Sequence, residues 1–217
     1  TPGTYQSQTG QISCEIAEPG YYVNSEASTN QTACVSGTYQ DQTGQNSCLD
    51  ADQGYYVDSE ASTNQTACAP GAYQPNTGQT SCLDADIGYY VDSEASTNQT
   101  ACVLGTYQNQ TGQTSCLDAD QGYYVDSEAS ANQTACDPGT YQSYTGQVFC
   151  EYVDVGHYAD EAGTIYQISC EPGTYQNQTG QTSCIDAEIG YFIPSFTSVI
   201  ATPCAPGTYQ NQTGQIS

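Results

Sequence analysis

The sequence predicts a small disulfide-rich β repeat: an elongated, rod-like array of 34-residue units built from short β-hairpins, with little or no helix. Three observations predict it. Twelve cysteines fall at positions 14, 34, 48, 68, 82, 102, 116, 136, 150, 170, 184 and 204, so the gaps alternate between 20 and 14 without exception. Hydrophobic residues make up 36% of the 217, but 20 Tyr and 12 Cys supply 32 of them, leaving few Leu, Ile and Val for a conventional core. Nowhere does a sustained 3.6-residue apolar period with capping residues occur, which argues against long helices.

The period sets the organisation. A partial repeat occupies 1–13, repeats follow at 14–47, 48–81, 82–115 and 116–149, and two divergent repeats occupy 150–183 and 184–217. The opening phrase TPGTYQSQTGQIS matches the closing APGTYQNQTGQIS, so the register runs past both ends and the chain reads as a window on a longer array. Fixed self-similarity of this kind marks an array whose periods touch only their neighbours.

Local elements follow from composition. Pro-Gly recurs at Pro2-Gly3, Pro70-Gly71, Pro138-Gly139, Pro172-Gly173 and Pro206-Gly207. Such dipeptides sit at the centre of type II turns, whose third residue needs a positive φ. The residues that follow, such as Thr38, Tyr39 and Gln40 or Tyr55, Tyr56 and Val57, are β-favouring runs bounded by Gly and polar clusters, which predicts strands of three to five residues. Tyr recurs singly (Tyr39, Tyr73, Tyr107) and in pairs (Tyr55 with Tyr56, Tyr89 with Tyr90). The pattern suits rings packed on cystine and glycine backbone with wet hydroxyls, the alternative being an exposed aromatic ladder for assembly.

Each period has two related halves. When Ala51 is set against Cys34, Gly54 falls with Gly37 and Tyr56 with Tyr39, which points to an underlying 17-residue unit whose second copy has lost both cysteines. Paired loss is neutral if those two positions bond each other, whereas losing one alone strands a thiol.

The phrase formed by Cys34, Gly37, Tyr39, Gly44 and Cys48 resembles the cysteine-rich repeats of ephrin-receptor-like and tumour-necrosis-factor-receptor-like ectodomains. In those repeats a further Cys and Gly-x-Tyr follow. Here Ala17, Ala51, Ala85, Ala119 and Ala187 replace that Cys, with Asp154 in the fifth period. Two disulfide registers are open. Pairing across the 20-residue gap closes all twelve cysteines internally. The resemblance, with the paired loss, implies the other: Cys34 with Cys48, Cys68 with Cys82, Cys102 with Cys116, Cys136 with Cys150 and Cys170 with Cys184, leaving Cys14 and Cys204 to pair outside the window. In the chain-entropy account a closed loop of ~15 residues contributes ~3 kcal/mol, which offsets a thin core.

Charge narrows the function classes. An ordinary domain of this size carries roughly 25 Lys and Arg, and this chain has none beside 24 Asp and Glu, for a formal net charge of −24. Without cations there is no phosphate neutralisation, which excludes nucleic-acid binding and docking on an anionic membrane. No apolar run approaches the ~20 residues of a membrane span, so no membrane insertion is expected in this window. Cysteine usage places the chain in a secreted or cell-surface compartment.

The strongest chemical motif is the Asn-x-Thr sequon, an N-glycan acceptor in a secreted chain. It occurs at Asn30, Asn64, Asn98 and Asn132 in second halves, and at Asn109, Asn177 and Asn211 in first halves. The competing reading is a polar turn copied by duplication. Asp50, Asp52, Asp58 and Glu60, with their copies, are weak calcium candidates, since Ca²⁺ takes six to eight oxygens. A solvated acidic face with diffuse counterions is the plainer reading. Covalent glycans are expected, and a resident cofactor is not. Nor is catalysis: the single His157 replaces a Tyr of the repeat, and with no Lys or Arg the usual activated nucleophiles and oxyanion clamps lack their parts. The expectation is a structural extracellular glycoprotein, the shaft of a fibre, appendage or surface coat, with self-association or lateral assembly into fibres. The alternative is the stalk or ligand-binding ectodomain of a receptor or adhesin.

Overall fold

The structure, a computed structural model, describes all residues from Thr1 to Ser217. It is an all-β chain of twelve antiparallel two-stranded hairpins with no helix. Their first strands begin at Thr4, Tyr21, Thr38, Tyr55, Ala72, Tyr89, Thr106, Tyr123, Thr140, His157, Thr174 and Tyr191, each 17 residues after the last. The half-period is therefore the structural unit, and two such units, one with a cystine and one without, make the 34-residue repeat.

One pair of hairpins represents all. Thr38–Tyr39 pairs with Leu49–Asp50, in the register Thr38 to Asp50 and Tyr39 to Leu49. Tyr55–Tyr56 pairs with Thr66–Ala67, Tyr55 to Ala67 and Tyr56 to Thr66. A turn precedes each first strand: the Thr38 N–H donates to the Val35 carbonyl at 3.0 Å and the Tyr55 N–H to that of Asp52 at 3.0 Å. The third turn residue has φ of 89° at Gly37 and 82° at Gly54, the type II geometry that glycine adopts without steric cost. Thr38 braces its turn with a side-chain bond from Oγ1 to the Val35 carbonyl at 2.8 Å.

The strands are two residues long, shorter than the three to five expected from composition. The cause lies in where the flanking backbone goes. The Gly37 N–H donates to Val57 O at 2.7 Å, and the Gln40 N–H to Ser62 O at 3.1 Å, so the N–H groups of both positions bracketing Thr38–Tyr39 bond the next unit and not their own hairpin. The Gly37 carbonyl stays with its own hairpin, accepting from Ala51 N–H at 2.9 Å one residue past the Thr38–Asp50 pair. Hydrogen-bonding capacity that a longer hairpin would use internally links successive hairpins instead, which satisfies the backbone where side chains supply little burial.

Two compact units divide the chain, residues 1–101 with 108–116 and residues 102–107 with 117–217. In the first, Gly3, Gly20, Gly54 and Gly71 donate to Val23, Gln40, Gln74 and Val91 as Gly37 does to Val57. In the second, Gly122, Gly139, Gly156 and Gly173 donate to Gln142, Ala159, Gln176 and Ile193. The divergent periods keep the bonds although their side chains differ, because the bonds are made by backbone.

Disulfides join Cys34 to Cys48, Cys68 to Cys82, Cys136 to Cys150 and Cys170 to Cys184, with Cα atoms 5.7 to 5.8 Å apart. Cys102 and Cys116 are disulfide-bonded as well. The bonds close the 14-residue spacing. Cys14, exposed, and Cys204, partly so, are free thiols. The core is a line of small side chains. Cys34, Cys68, Cys102, Cys136 and Cys170 are fully buried, and Ala17, Ala51, Ala85, Ala119 and Ala187 are fully buried in the cystine-free units. In the fifth period the buried position belongs to Val153 and not to Asp154, which is exposed one residue on. A carboxylate there would have to leave water unpaired, so an apolar residue holds the place.

A second buried position alternates in chemistry. Val57 and Val91 fill it in cystine-free units, and Gln40, Gln74, Gln108, Gln142 and Gln176 fill it in cystine units. Each glutamine is satisfied by its own loop: Gln40 Nε2 donates to Ser47 O at 2.9 Å and its Oε1 accepts from Gln42 N–H at 3.1 Å. A buried amide with both ends paired fixes the loop's path.

Candidate glycosylation sites and the sixth-period groove

All seven sequon asparagines are exposed: Asn30, Asn64, Asn98, Asn109, Asn132, Asn177 and Asn211. The two sets occupy different local structures. Asn109 and Asn177 lie in the loops of cystine units and Asn211 in the loop that follows the free Cys204, each directly after the loop-fixing glutamine. Asn64 sits at a bend, and its threonine, Thr66, begins the second strand of the hairpin.

The middle residue of that second set carries structure the sequence reading missed. Gln65 stands where Cys48 stands one unit earlier. Its Oε1 accepts from the Asp52 N–H at 2.7 Å, and its Nε2 donates to Asp52 Oδ2 at 2.7 Å. The same clasp joins Gln31 to Glu18, Gln99 to Asp86, Gln133 to Asp120 and Gln167 to Asp154. A two-point amide clasp thus holds the hairpins that begin at Tyr21, Tyr55, Tyr89, Tyr123 and His157 at the place where the cystine units carry a covalent bond. The signal that could have found it is in the fifth period, where Tyr166 and Ile168 replace the sequon's Asn and Thr and Gln167 alone remains.

The acidic residues are dispersed. No group of three or more Asp, Glu, His or Cys converges, so Asp50, Asp52, Asp58 and Glu60 are not assembled into a ligand set. Asp52 is engaged by Gln65, and Asp58 Oδ1 accepts from Ser59 Oγ at 3.0 Å. His157 lies in a strand in place of a tyrosine, its Nδ1 3.2 Å from the Val155 carbonyl. No helix is long and apolar enough to cross a membrane.

Three tyrosines have phenols held above the ordinary 10.0; at Tyr5 the hydrogen bond to Glu15 leads, followed by desolvation and the charges of Glu15 and Glu18. Tyr39 has its phenol held above the ordinary 10.0 by partial burial, with the charges of Asp52 and Asp41 adding to it. Burial raises Tyr141 too, followed by its hydrogen bond to Glu151 and the charge of that residue.

The surface changes character in the divergent periods. Tyr144, Phe149, Tyr152, Tyr166 and Phe196 are each more than half exposed. Within the second unit, a groove of about 660 Å³ is lined by Tyr175, Asn177, Glu188, Tyr191, Val199 and Ile200, with Val155 and Ala201. Four periods earlier, the positions of Val199, Ile200 and Ala201 are Thr63, Asn64 and Gln65. The sixth period has therefore exchanged a polar loop with sequon and clasp for an aliphatic one. Alanine at 201 has no amide to engage Glu188. No protein-family model matches the chain, and a search of curated proteins finds no relative.

Proposed function

We propose that this chain is a structural extracellular glycoprotein, the repeat shaft of a fibre, appendage or surface coat. One observation carries the reading: within each of the two units, hairpin after hairpin makes the same glycine N–H bond to its successor, whatever its side chains, as Gly37 does to Val57 and Gly173 to Ile193. A unit that docks its successor through backbone alone can be copied many times without redesign, which is what a spacer requires. Cystines at alternate hairpins reinforce it against reversal, in keeping with an oxidising compartment. Exposed sequons at Asn30, Asn64, Asn98, Asn109, Asn132, Asn177 and Asn211 are in place for glycans that add hydration and protease resistance. The phrase running from Cys34 to Cys48 supports kinship with the ephrin-receptor-like and tumour-necrosis-factor-receptor-like repeats, as a branch in which alternate units exchanged cystine for an amide clasp.

Electron microscopy of purified native material tests this reading. Continuous filaments with a regular axial repeat are expected, and discrete monomeric particles at high protein concentration would sink it. Glycosidase treatment should lower the apparent mass sharply. A second reading, the stalk or ligand-binding ectodomain of a receptor or adhesin, is favoured by the exposed aromatics between Tyr144 and Phe196. Loss of adhesion or partner binding on substituting Tyr152 and Tyr166, with filaments intact, would select it.

A further inference from the structure

We propose that the sixth-period groove is the seat of the first sugars of a glycan carried on Asn177. The inference rests on the glycoprotein reading and goes beyond it, assigning one glycan a bound conformation on the protein. Three observations converge on that occupant. The first is tethering: Asn177 is itself part of the groove's lining, so a sugar linked to its Nδ2 enters the groove at high local concentration.

The second is the chemistry of the lining. Tyr175 and Tyr191 supply aromatic surface, Val199 and Ile200 supply aliphatic surface, and Glu188 supplies an acceptor. An N-acetylhexosamine has a C–H face that packs on aromatic and aliphatic groups, and hydroxyl and amide N–H donors for a carboxylate. It is also neutral, which suits a chain of net charge −24, where an anionic ligand is repelled.

The third is the pattern of substitution. Where Thr63, Asn64 and Gln65 make a sequon and a clasp, the sixth period has Val199, Ile200 and Ala201, which removes both. The exchange deletes a competing glycan from position 200 and releases Glu188 from any clasp. Ile200 is left 74% exposed and Tyr191 40% exposed beside an acceptor asparagine. The groove's volume falls within the ~300–1,000 Å³ of small-ligand sites.

The test uses the whole chain from a glycosylating host, with the glycans trimmed to the core. Glycopeptide mass spectrometry first reports occupancy at each of the seven sequons. Nuclear Overhauser contacts from the Asn177-linked sugar to the rings of Tyr175 and Tyr191 are expected. Acetylation of Tyr191 should be several-fold slower than in Asn177→Gln, with exposed Tyr152 reacting equally in both. Ile200→Ser, a change at an exposed side chain that the fold tolerates, should restore Tyr191 reactivity without altering occupancy. An occupied Asn177 with neither contacts nor protection overturns the groove assignment and leaves the glycoprotein reading standing. An empty Asn177 beside occupied sequons overturns the assignment alone, and seven empty sequons overturn both.

Discussion

Gln65 grips Asp52 at two points, the backbone N–H and the carboxylate, each at 2.7 Å, and does so from the position that Cys48 holds in the preceding hairpin. The amide clasp therefore has a measurable share in holding alternate units closed. Gln65→Ala should cost about 1 kcal/mol, the net worth of an ordinary hydrogen-bonded contact near solvent. Gln65→Glu should cost more, since it loses the donor and sets a second carboxylate against Asp52. The double variant Ala51→Cys with Gln65→Cys recreates the cystine positions and should gain a net ~2 kcal/mol once oxidised, the ~3 kcal/mol of loop closure less the ~1 kcal/mol of the lost clasp. Denaturant unfolding and hydrogen exchange at the Asp52 amide check all three, and an unchanged Asp52 exchange rate in Gln65→Ala would show the clasp to be idle.

Gly37 faces the backbone of the next period so closely that a Cβ on it would lie 2.4 Å from the carbonyl oxygen of Gly78. Its φ of 89° already disfavours any L side chain. Gly37→Ala should therefore cost well over the ~1–2 kcal/mol of a left-handed alanine alone. Gly10→Ala is the control: its φ is 77°, but nothing lies within 4 Å of the added atom, so only the backbone cost applies. Comparable destabilisation of the two variants would remove the case for close packing between periods.

Within residues 1–217, Cys14 and Cys204 stand outside the five cystines. Alkylation of the native, unreduced chain should label Cys14 fully and Cys204 more slowly, with no other cysteine modified. Unreduced peptide mapping with a protease that cuts at acidic residues should recover Cys34 linked to Cys48. A Cys48–Cys68 peptide would instead establish the 20-residue register.

The cysteine spacing made the repeat legible, and the coincidence of Gly37 with Gly54 and Tyr39 with Tyr56 made the 17-residue unit legible too. Both are repeated features that local chemistry requires, glycine for a positive φ and cystine for want of a core. What escaped was the interaction between units. Strand length was overestimated because Gln40 and Val57 look like strand continuations, and only the fold shows their N–H groups turned to Ser62 and Gln79. Gln65 escaped because its place in Asn-Gln-Thr suggested a glycan acceptor and hid a structural residue. The buried position of the fifth period was misplaced by one residue, at Asp154 instead of Val153, because cysteine, alanine and valine share no side-chain chemistry except the ability to be buried.

Stability should fall on the alkaline side through the tyrosines that the fold shelters. Partial burial, then the charges of Asp52 and Asp41, hold Tyr39 above its ordinary 10.0, and burial followed by Glu151 does the same for Tyr141. Below that value both folded and unfolded chains keep the phenolic protons, and these groups give no slope with pH. Above it the unfolded chain releases protons that the folded chain retains, so rising pH draws the equilibrium toward unfolding until the folded phenols ionise as well. Tyr39→Phe combined with Tyr141→Phe should flatten the decline while leaving neutral-pH stability nearly unchanged. Urea unfolding between neutral pH and the phenol range, with Cys14 and Cys204 alkylated to prevent exchange, measures it. An identical alkaline decline in the double variant would assign the loss to the repulsion among the 24 carboxylates and ionising exposed tyrosines, a contribution that added salt screens.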